Sequence, residues 1–209
     1  MIEFETTKGL TDYQKALVVM EARVTGIHEG SETELIWFVE HPPVYTAGTN
    51  SNKNDLLNPT RFPVHQVGRG GQYTYHGPGQ RVVYIMLNLN KRGKDVRGFI
   101  HNLEQVVINT LTEFGITGER RPGRVGIWVN ETQTEKKIAA IGIRIRHWIT
   151  FHGISININP NLEHFSGINP CGISEFGVTS LTNLNVNCTL EDFDTALKRH
   201  FGKIFKIWN

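Results

Sequence analysis

Arg69-Gly-Gly-Gln-Tyr-Thr-Tyr-His76-Gly-Pro-Gly-Gln80, continuing directly into Arg81-Val-Val-Tyr-Ile-Met-Leu-Asn-Leu89, sets the terms for the rest of the chain. Four glycines and a proline within twelve residues exclude a long helix. The segment is too polar for a simple core strand. Its glycines let backbone N–H groups approach a ligand closely, and Arg69 and His76 add a charge and a proton-handling group. The apolar run from Arg81 to Leu89 predicts a strand leaving this segment, and Val64 to Val67 predicts a short one entering it. The local expectation is therefore strand, glycine-rich turn, strand.

The same reading extends to both sides. Thr11-Asp-Tyr-Gln14 has the form of a capping box, and Leu17, Val18, Ala22 and Val24 follow at roughly helical spacing, which predicts a helix over about 11–26. Leu35 to Val39 reads as a buried strand that stops at Pro42-Pro43, with Val44 to Gly48 resuming as extended chain. Residues 49–61 are polar and loop-like, and Lys91 to Lys94 forms a basic turn. Asp95 caps a helix whose apolar residues recur at three- and four-residue steps from Val96 to Phe114, ending at Gly115. Val125–Val129 and Lys137–Arg146 predict a hairpin joined by a polar connection at 130–136. Trp148 to Ile158 predicts another strand, with Ile154, Ile156 and Ile158 alternating against Ser155 and Asn157. Residues 159–176 look irregular, and Thr189-Leu-Glu-Asp192 opens a last helix to about His200. Helices and strands mix without regular alternation, which predicts an α+β fold with a mixed, largely antiparallel sheet. The 209 residues suit a single domain, 1–209, with room for a small C-terminal lobe from about 183.

Composition removes several classes of function. Lys+Arg 22 against Asp+Glu 20 leaves a net charge of +2, which does not mark a dedicated nucleic-acid binder. No apolar run approaches the length of a membrane span. The acidic, polar N-terminus lacks the apolar core of a secretory signal, so the expected location is cytoplasmic. Two cysteines, Cys171 and Cys188, are too few for a disulfide framework. Nine histidines include no H-x-x-H or H-E-x-x-H pattern, and with two cysteines a zinc site is not expected; no cofactor is expected. Gly68-Arg-Gly-Gly71 matches neither phosphate-binding glycine pattern.

Two residues carry candidate chemistry. Cys171 sits between Pro170 and Gly172 in a loop, whereas structural cysteines usually sit in apolar strands or helices. Cys188, just before a helix, reads as packing. Lys137 starts an apolar strand. Taken alone it reads first as an ordinary solvated strand-end lysine, and second as an amine partly drawn from water that could work beside a thiol. Lys136 should point to the opposite face if the strand is regular. His41, His76 and His152 lie at turns or strand ends, and each alone reads as a hydrogen-bonded structural residue.

Four separated motifs then stand in order: Arg69-Gly-Gly-x-x-Thr-Tyr-His76-x-x-Gly-Gln80-x-Val-x-Tyr84, Lys137-Ile-Ala-Ala-Ile-Gly142, Phe151-His-Gly153, and Asn169-Pro-Cys171-Gly. Together with Val39-Glu-His41-Pro-Pro-Val-Tyr-Thr46, this arrangement over about 35–182 resembles the lipoyl(octanoyl) transferases, also called lipoate-protein ligase B. Gly68 departs from the acidic or polar residue expected before the arginine. The resemblance implies a biotin/lipoyl protein ligase-like fold. It implies an enzyme that takes octanoyl from octanoyl-acyl carrier protein and places it on a lysine of the lipoyl domains of 2-oxoacid dehydrogenases or of the glycine cleavage H protein. It further implies Cys171 as the acyl-thioester nucleophile and Lys137 as its partner. The acyl site would be lined by Arg69, Gly70, Gly71, Gln72, Tyr73, Thr74, Tyr75 and His76, by Ala140, Ile141 and Gly142, and by Gly153, Ile154 and Ser155. The rival readings are an ATP-dependent lipoate or biotin ligase and a non-catalytic carrier-binding module.

Overall fold

The computed structural model describes residues 2–131, 134–169 and 176–207. In chain order, the elements are β1 (Ile2–Leu10), α1 (Tyr13–Glu29), β2 (Glu34–Glu40), β3 (Val44–Ala47), β4 (Val64–Gln66), β5 (Tyr73–His76), β6 (Gln80–Met86), α2 (Val96–Glu113), β7 (Glu119–Arg121), β8 (Arg124–Glu131), β9 (Thr134–Arg146), β10 (Ile149–Asn157), β11 (Gly177–Val178) and α3 (Leu190–Ile204). The large sheet has the order β1-β2-β6-β10-β9-β8-β7, with β11 added beside β9. Only β1–β2 and β9–β11 pair in parallel within it. A second, three-stranded sheet has the order β4-β3-β5. The architecture is α+β with a mixed, mainly antiparallel sheet.

Period-two alternation divides the large sheet into two faces. Phe38, Val83, Ile85, Ile154 and Ile156 point to one side and meet Leu103, Val107 and Leu111 of α2 and Phe193, Leu197 and Phe201 of α3. Leu35, Trp37, Val82, Tyr84 and Phe151 point to the other side and meet Ala16, Met20 and Val24 of α1. The small sheet has its own cluster around Tyr45, Tyr75, Phe165 and Ile168. Leu184, Val186 and Leu190 pack on the same cluster as α2, so the residues after 183 share the main core. Among the described residues, no helix is long and apolar enough to cross a membrane.

Several local expectations need correction. The N-cap of α1 is Asp12, whose carboxylate accepts the Lys15 N–H at 3.0 Å. Thr11 instead donates its N–H to the Glu40 carbonyl. The glycine segment is not a plain turn, because Tyr73–His76 pairs with β3 in the small sheet while β6 leaves for the large one. Strands β8 and β9 are longer than their apolar runs: Asn130 pairs with Glu135 and Glu131 with Thr134. A backbone ladder continues wherever the strands stay adjacent, whatever the polarity of the side chains. Leu89 belongs to a 3-10 turn over Leu89–Arg92. Helix α3 runs past His200 because Phe201 and Ile204 extend its apolar face.

Phe193 is fully buried and stacks on Phe114 with centroids 5.3 Å apart. Phe193→Ala should cost about 3–5 kcal/mol in urea denaturation at constant m-value. A loss under about 1 kcal/mol would show that α3 is not part of the cooperative core.

Candidate active site

A cavity of about 430 Å³ lies between the large sheet and the glycine segment. One wall is built from β9 and β10, where Gly142 faces Gly153, Ile141 faces Ile154 and Ala140 faces Ser155 across the ladder. The six residues expected on these strands are thus three cross-strand pairs, and all six line the cavity. Ile154 does so although its side chain is buried in the helix-side cluster, against which Ile141 also packs. The opposite wall is Arg69 through Thr74, with His76. The loop lies so close to β9 that a Cβ on Gly142 would stand 3.0 Å from the Gly70 carbonyl oxygen. The Gly70 N–H donates to the Ile143 carbonyl at 2.9 Å and fixes that approach.

A β-bulge aims Lys137 into this cavity. Going along the β8–β9 ladder, Ile127 pairs with Ala139 but Trp128 pairs with Lys137, so Ile138 is an extra residue on β9. Ile138 and Ala139 both pack in the helix-side core, and the side-chain parity reverses beyond them. Without the bulge, the parity of Ala140 and Gly142 would bring Lys136 to the cavity. With it, Lys137 lines the cavity and Lys136 pairs with Glu131 at 3.4 Å. The Lys137 ammonium donates to the Val125 carbonyl at 3.1 Å and sits 4.7 Å from the centre of the Trp128 ring. Cys171 lies outside the described residues. The chain enters that segment at Asn169, whose N–H bonds to the Asp55 carbonyl, and leaves it at Phe176, which lies edge-on to Trp128. Gly177 and Val178 of β11 then pair with Lys136 and Lys137.

Arg69 is buried and braces its own loop. Its guanidinium donates to the carbonyls of Thr46, Gly70 and Gln72 and to the Thr46 hydroxyl, at 2.7–3.0 Å. Just before it, Arg144 occupies the space beside Gly68, where a Cβ would stand 2.7 Å from a guanidinium nitrogen. A longer residue at this position would have to displace the flexible end of Arg144.

Behind the loop lies a group of buried rings. The His41 Nδ1–H donates to the Thr11 carbonyl at 2.6 Å, which leaves Nε2 to accept the Tyr84 hydroxyl at 2.7 Å. The His76 Nδ1–H donates to Gln80 Oε1 at 2.6 Å, and the ring stacks on Tyr13. His152 holds a left-handed φ of 60° inside β10 and borders the cavity. Burial pushes His41 down to about 4 and His76 and His152 down to about 3; the Arg69 charge adds to the shift for the last two. Burial raises the Tyr13 hydroxyl to about 12. The rings are therefore neutral at physiological pH and act as hydrogen-bonding groups.

Of the residues expected around the acyl site, Tyr75 stands apart. It does not line the cavity: its ring is buried in the cluster of the small sheet, and its hydroxyl pairs with His164 Nδ1 at 2.7 Å. Sequence reasoning passed over Tyr13, Gln80, Tyr84 and Asn157, all of which line the cavity. Tyr84 and Gln80 belong to the motif that begins at Arg69, and Asn157 sits on the polar side of an alternating strand. Tyr13 carried no signal, because it comes from a helix start far away in the sequence. Arg120, Arg121 and Arg124 are ion-paired with Glu104, Glu119 and Glu135. Among the described residues, no cluster of His, Cys, Asp and Glu could hold a metal ion.

The three depressed histidines make stability pH-dependent. Unfolded, they would titrate near 6.5, so their contribution is complete above that pH and is lost as pH falls toward 3–4. Asp194, raised to about 6 by burial against the opposing pull of Arg81, works the other way over about pH 4–6. The net effect is an acid loss equivalent to roughly two protons, about 3 kcal/mol per pH unit at its steepest. Urea midpoints at pH 7.5 and 5.5 should differ markedly, and equal midpoints would contradict the neutral buried rings.

The chain matches the lipoyl protein ligase A/B catalytic domain family over residues 12–202. An octanoyltransferase of Brucella melitensis is 56% identical over 213 residues, covering 98% of this chain and 81% of that protein. Among solved structures, a lipoate-protein ligase A bound with ATP superposes with a TM-score of 0.74 at 17% identity, over 98% of this chain and 86% of that one. The biotin protein ligase of Aquifex aeolicus, in its crystal structure, gives a TM-score of 0.56 at 13% identity, over 99% of this chain and 71% of that one. The solved structures share the fold, and the near-full-length identity gives the closer kinship: the chain belongs to the octanoyltransferases of the lipoyl protein ligase A/B catalytic-domain family.

Proposed function

We propose that this octanoyltransferase moves the acyl group from octanoyl-acyl carrier protein to one lysine of a lipoyl domain in two steps, through a thioester on Cys171. The observation that carries this reading is the aim of Lys137. A bulge directs its amine into a cavity walled by small and apolar residues, and the chain that follows the Cys171 segment pairs with Lys136 and Lys137. In the first step the Cys171 thiolate attacks the donor carbonyl carbon. The new C–S bond replaces the carrier's C–S bond, and the carrier sulfur leaves with the proton given up by the Lys137 ammonium, which becomes the neutral amine. One thioester replaces another, so little free energy changes hands. In the second step the acceptor amine attacks the Cys171 thioester, a C–N bond forms, the C–S bond to Cys171 breaks, and the thiolate is regenerated as Lys137 takes the acceptor's proton. Amide formation makes this step strongly downhill.

Lys137 serves both steps. Its ammonium beside the sulfur stabilises the thiolate, which is only a few per cent of an ordinary cysteine at neutral pH. Its amine then takes the proton that the acceptor lysine must lose. The acyl tail lies along the glycine and alanine positions of β9 and β10, where each buried CH₂ contributes about 0.8 kcal/mol. Arg69, Gly70, Gly71, Gln72, Tyr73, Thr74 and His76 form its other wall, with Arg69 bracing the loop. Lipoyl domains of 2-oxoacid dehydrogenases and the glycine cleavage H protein are the acceptors, the reaction is cytoplasmic, and no resident cofactor takes part.

The test is transfer from octanoyl-carrier to an apo lipoyl domain without ATP. Cys171→Ala should lower the rate by on the order of 10³-fold or more. Lys137→Met should lower it by about 10²-fold and slow alkylation of Cys171 at neutral pH. Full activity of Cys171→Ala, or a requirement for ATP with free octanoate, would refute the reading.

A further inference from the structure

Three side chains that border the cavity, and that the two steps above leave without a part in bond making, form one hydrogen-bonded line. The His76 Nδ1–H donates to Gln80 Oε1 at 2.6 Å. The Gln80 amide NH₂ donates to the Tyr75 carbonyl at 3.2 Å and to Asn157 Oδ1 at 2.9 Å. The Asn157 NH₂ donates to the Thr179 carbonyl at 2.9 Å, and the Thr179 N–H donates to the Lys137 carbonyl at 3.0 Å. Neither amide can be reversed. The carbonyls of Tyr75 and Thr179 only accept, so each NH₂ must face them, and each amide oxygen then meets a donor. Gln80 and Asn157 are almost fully buried, where a lost partner costs the desolvation of the group left behind.

The line ends at the bulge. The β9–β10 ladder runs to Ile156↔Ala139, and the position opposite Asn157 would be Ile138, the extra residue. From there β11 and the chain after it take over the pairing. Val178 pairs with Lys137, Thr179 donates to Lys137, and the Leu181 N–H donates to the Asn157 carbonyl at 3.1 Å. The Asn157 side chain is therefore a second tie, beside the backbone bond from Leu181, between the end of β10 and the segment that pairs with Lys137.

We propose that Asn157, oriented by Gln80, is a positioning residue that fixes the bulge in β9, so that Lys137 rather than Lys136 faces the cavity. A slip of one residue would exchange the two lysines. The consequence for catalysis rests on the reading of Lys137 as the working amine, whereas the positioning claim can be measured without it.

Two variants test the tie. Asn157→Asp keeps the size and the acceptor oxygen but sets a second oxygen against the Thr179 carbonyl. Gln80→Met keeps the bulk but removes the groups that orient Asn157. The folded proteins are labelled briefly with acetic anhydride, and modification at Lys136 and Lys137 is compared by peptide mass spectrometry. Wild type should label mainly at Lys136. In both variants the Lys137:Lys136 ratio should rise by about threefold or more, and kcat should fall by about tenfold or more while KM for the donor changes less than about twofold. If Asn157→Asp fails to fold, the ratio in Gln80→Met decides. Folded variants with a wild-type ratio overturn the proposal, even if stability or activity is lost, because that pattern marks a merely structural role. If the ratio shifts but Lys137→Met transfers octanoyl normally, the positioning stands and the reading of Lys137 as the working amine falls.

Discussion

One extra residue in β9 governs what the site can do. A strand shows alternate residues to alternate faces, and β9 needs opposite parities at its two ends. From Ala139 to Ile145, odd positions feed the core under α2 and α3, while Ala140 and Gly142 leave room on the other face. At Lys137 the side chain lies on the roomy face. Inserting Ile138 reconciles the two demands, and both Ile138 and Ala139 are buried on the helix side to secure it. The core that gives the domain its stability and the amine that faces its cavity are therefore settled by one irregularity in the ladder.

The opposite wall depends on a different economy of charge. Arg69 keeps its guanidinium inside by satisfying three carbonyls and a hydroxyl of the loop around it. A buried cation of this kind discourages further positive charge nearby. His76 and His152 are accordingly held neutral by burial and by that cation, so their ring nitrogens stay available as fixed donors or acceptors. Close approach matters as much as charge: a Cβ on Gly48 would stand 2.3 Å from the Gly71 carbonyl oxygen, so the loop can close against β3 only over a glycine. The result is a polar rim around a slot whose floor is small and apolar.

Much of this was legible in the residues. The alternation in 137–146 and 149–158 announced the central strands, and Asp95 and Thr189 announced two helix starts that the structure keeps. The family resemblance pointed to Ala140, Gly142 and Gly153, and all three line the cavity. What escaped had local causes. Tyr73–His76 looks like a turn because its glycine neighbours outweigh its aromatic alternation, yet it is a strand of the small sheet. The polar ends of β8 and β9 read as a connection because ladder hydrogen bonds leave no trace in side-chain polarity. The bulge at Ile138 left no trace in the sequence, since such an irregularity is set by packing on both faces at once. Tyr13 reaches the cavity through the docking of α1, a long-range contact with no counterpart in its own neighbourhood.

The central claim is that acyl groups pass through sulfur on their way to nitrogen. The most direct measurement is peptide mass spectrometry of the wild-type protein exposed to octanoyl-carrier alone, followed by addition of an apo lipoyl domain. The account predicts a single octanoyl group on the Cys171 peptide, which disappears at the rate at which octanoyl-lysine appears on the acceptor. Transfer that proceeds at full rate while the Cys171 peptide stays unmodified at every time point would contradict it.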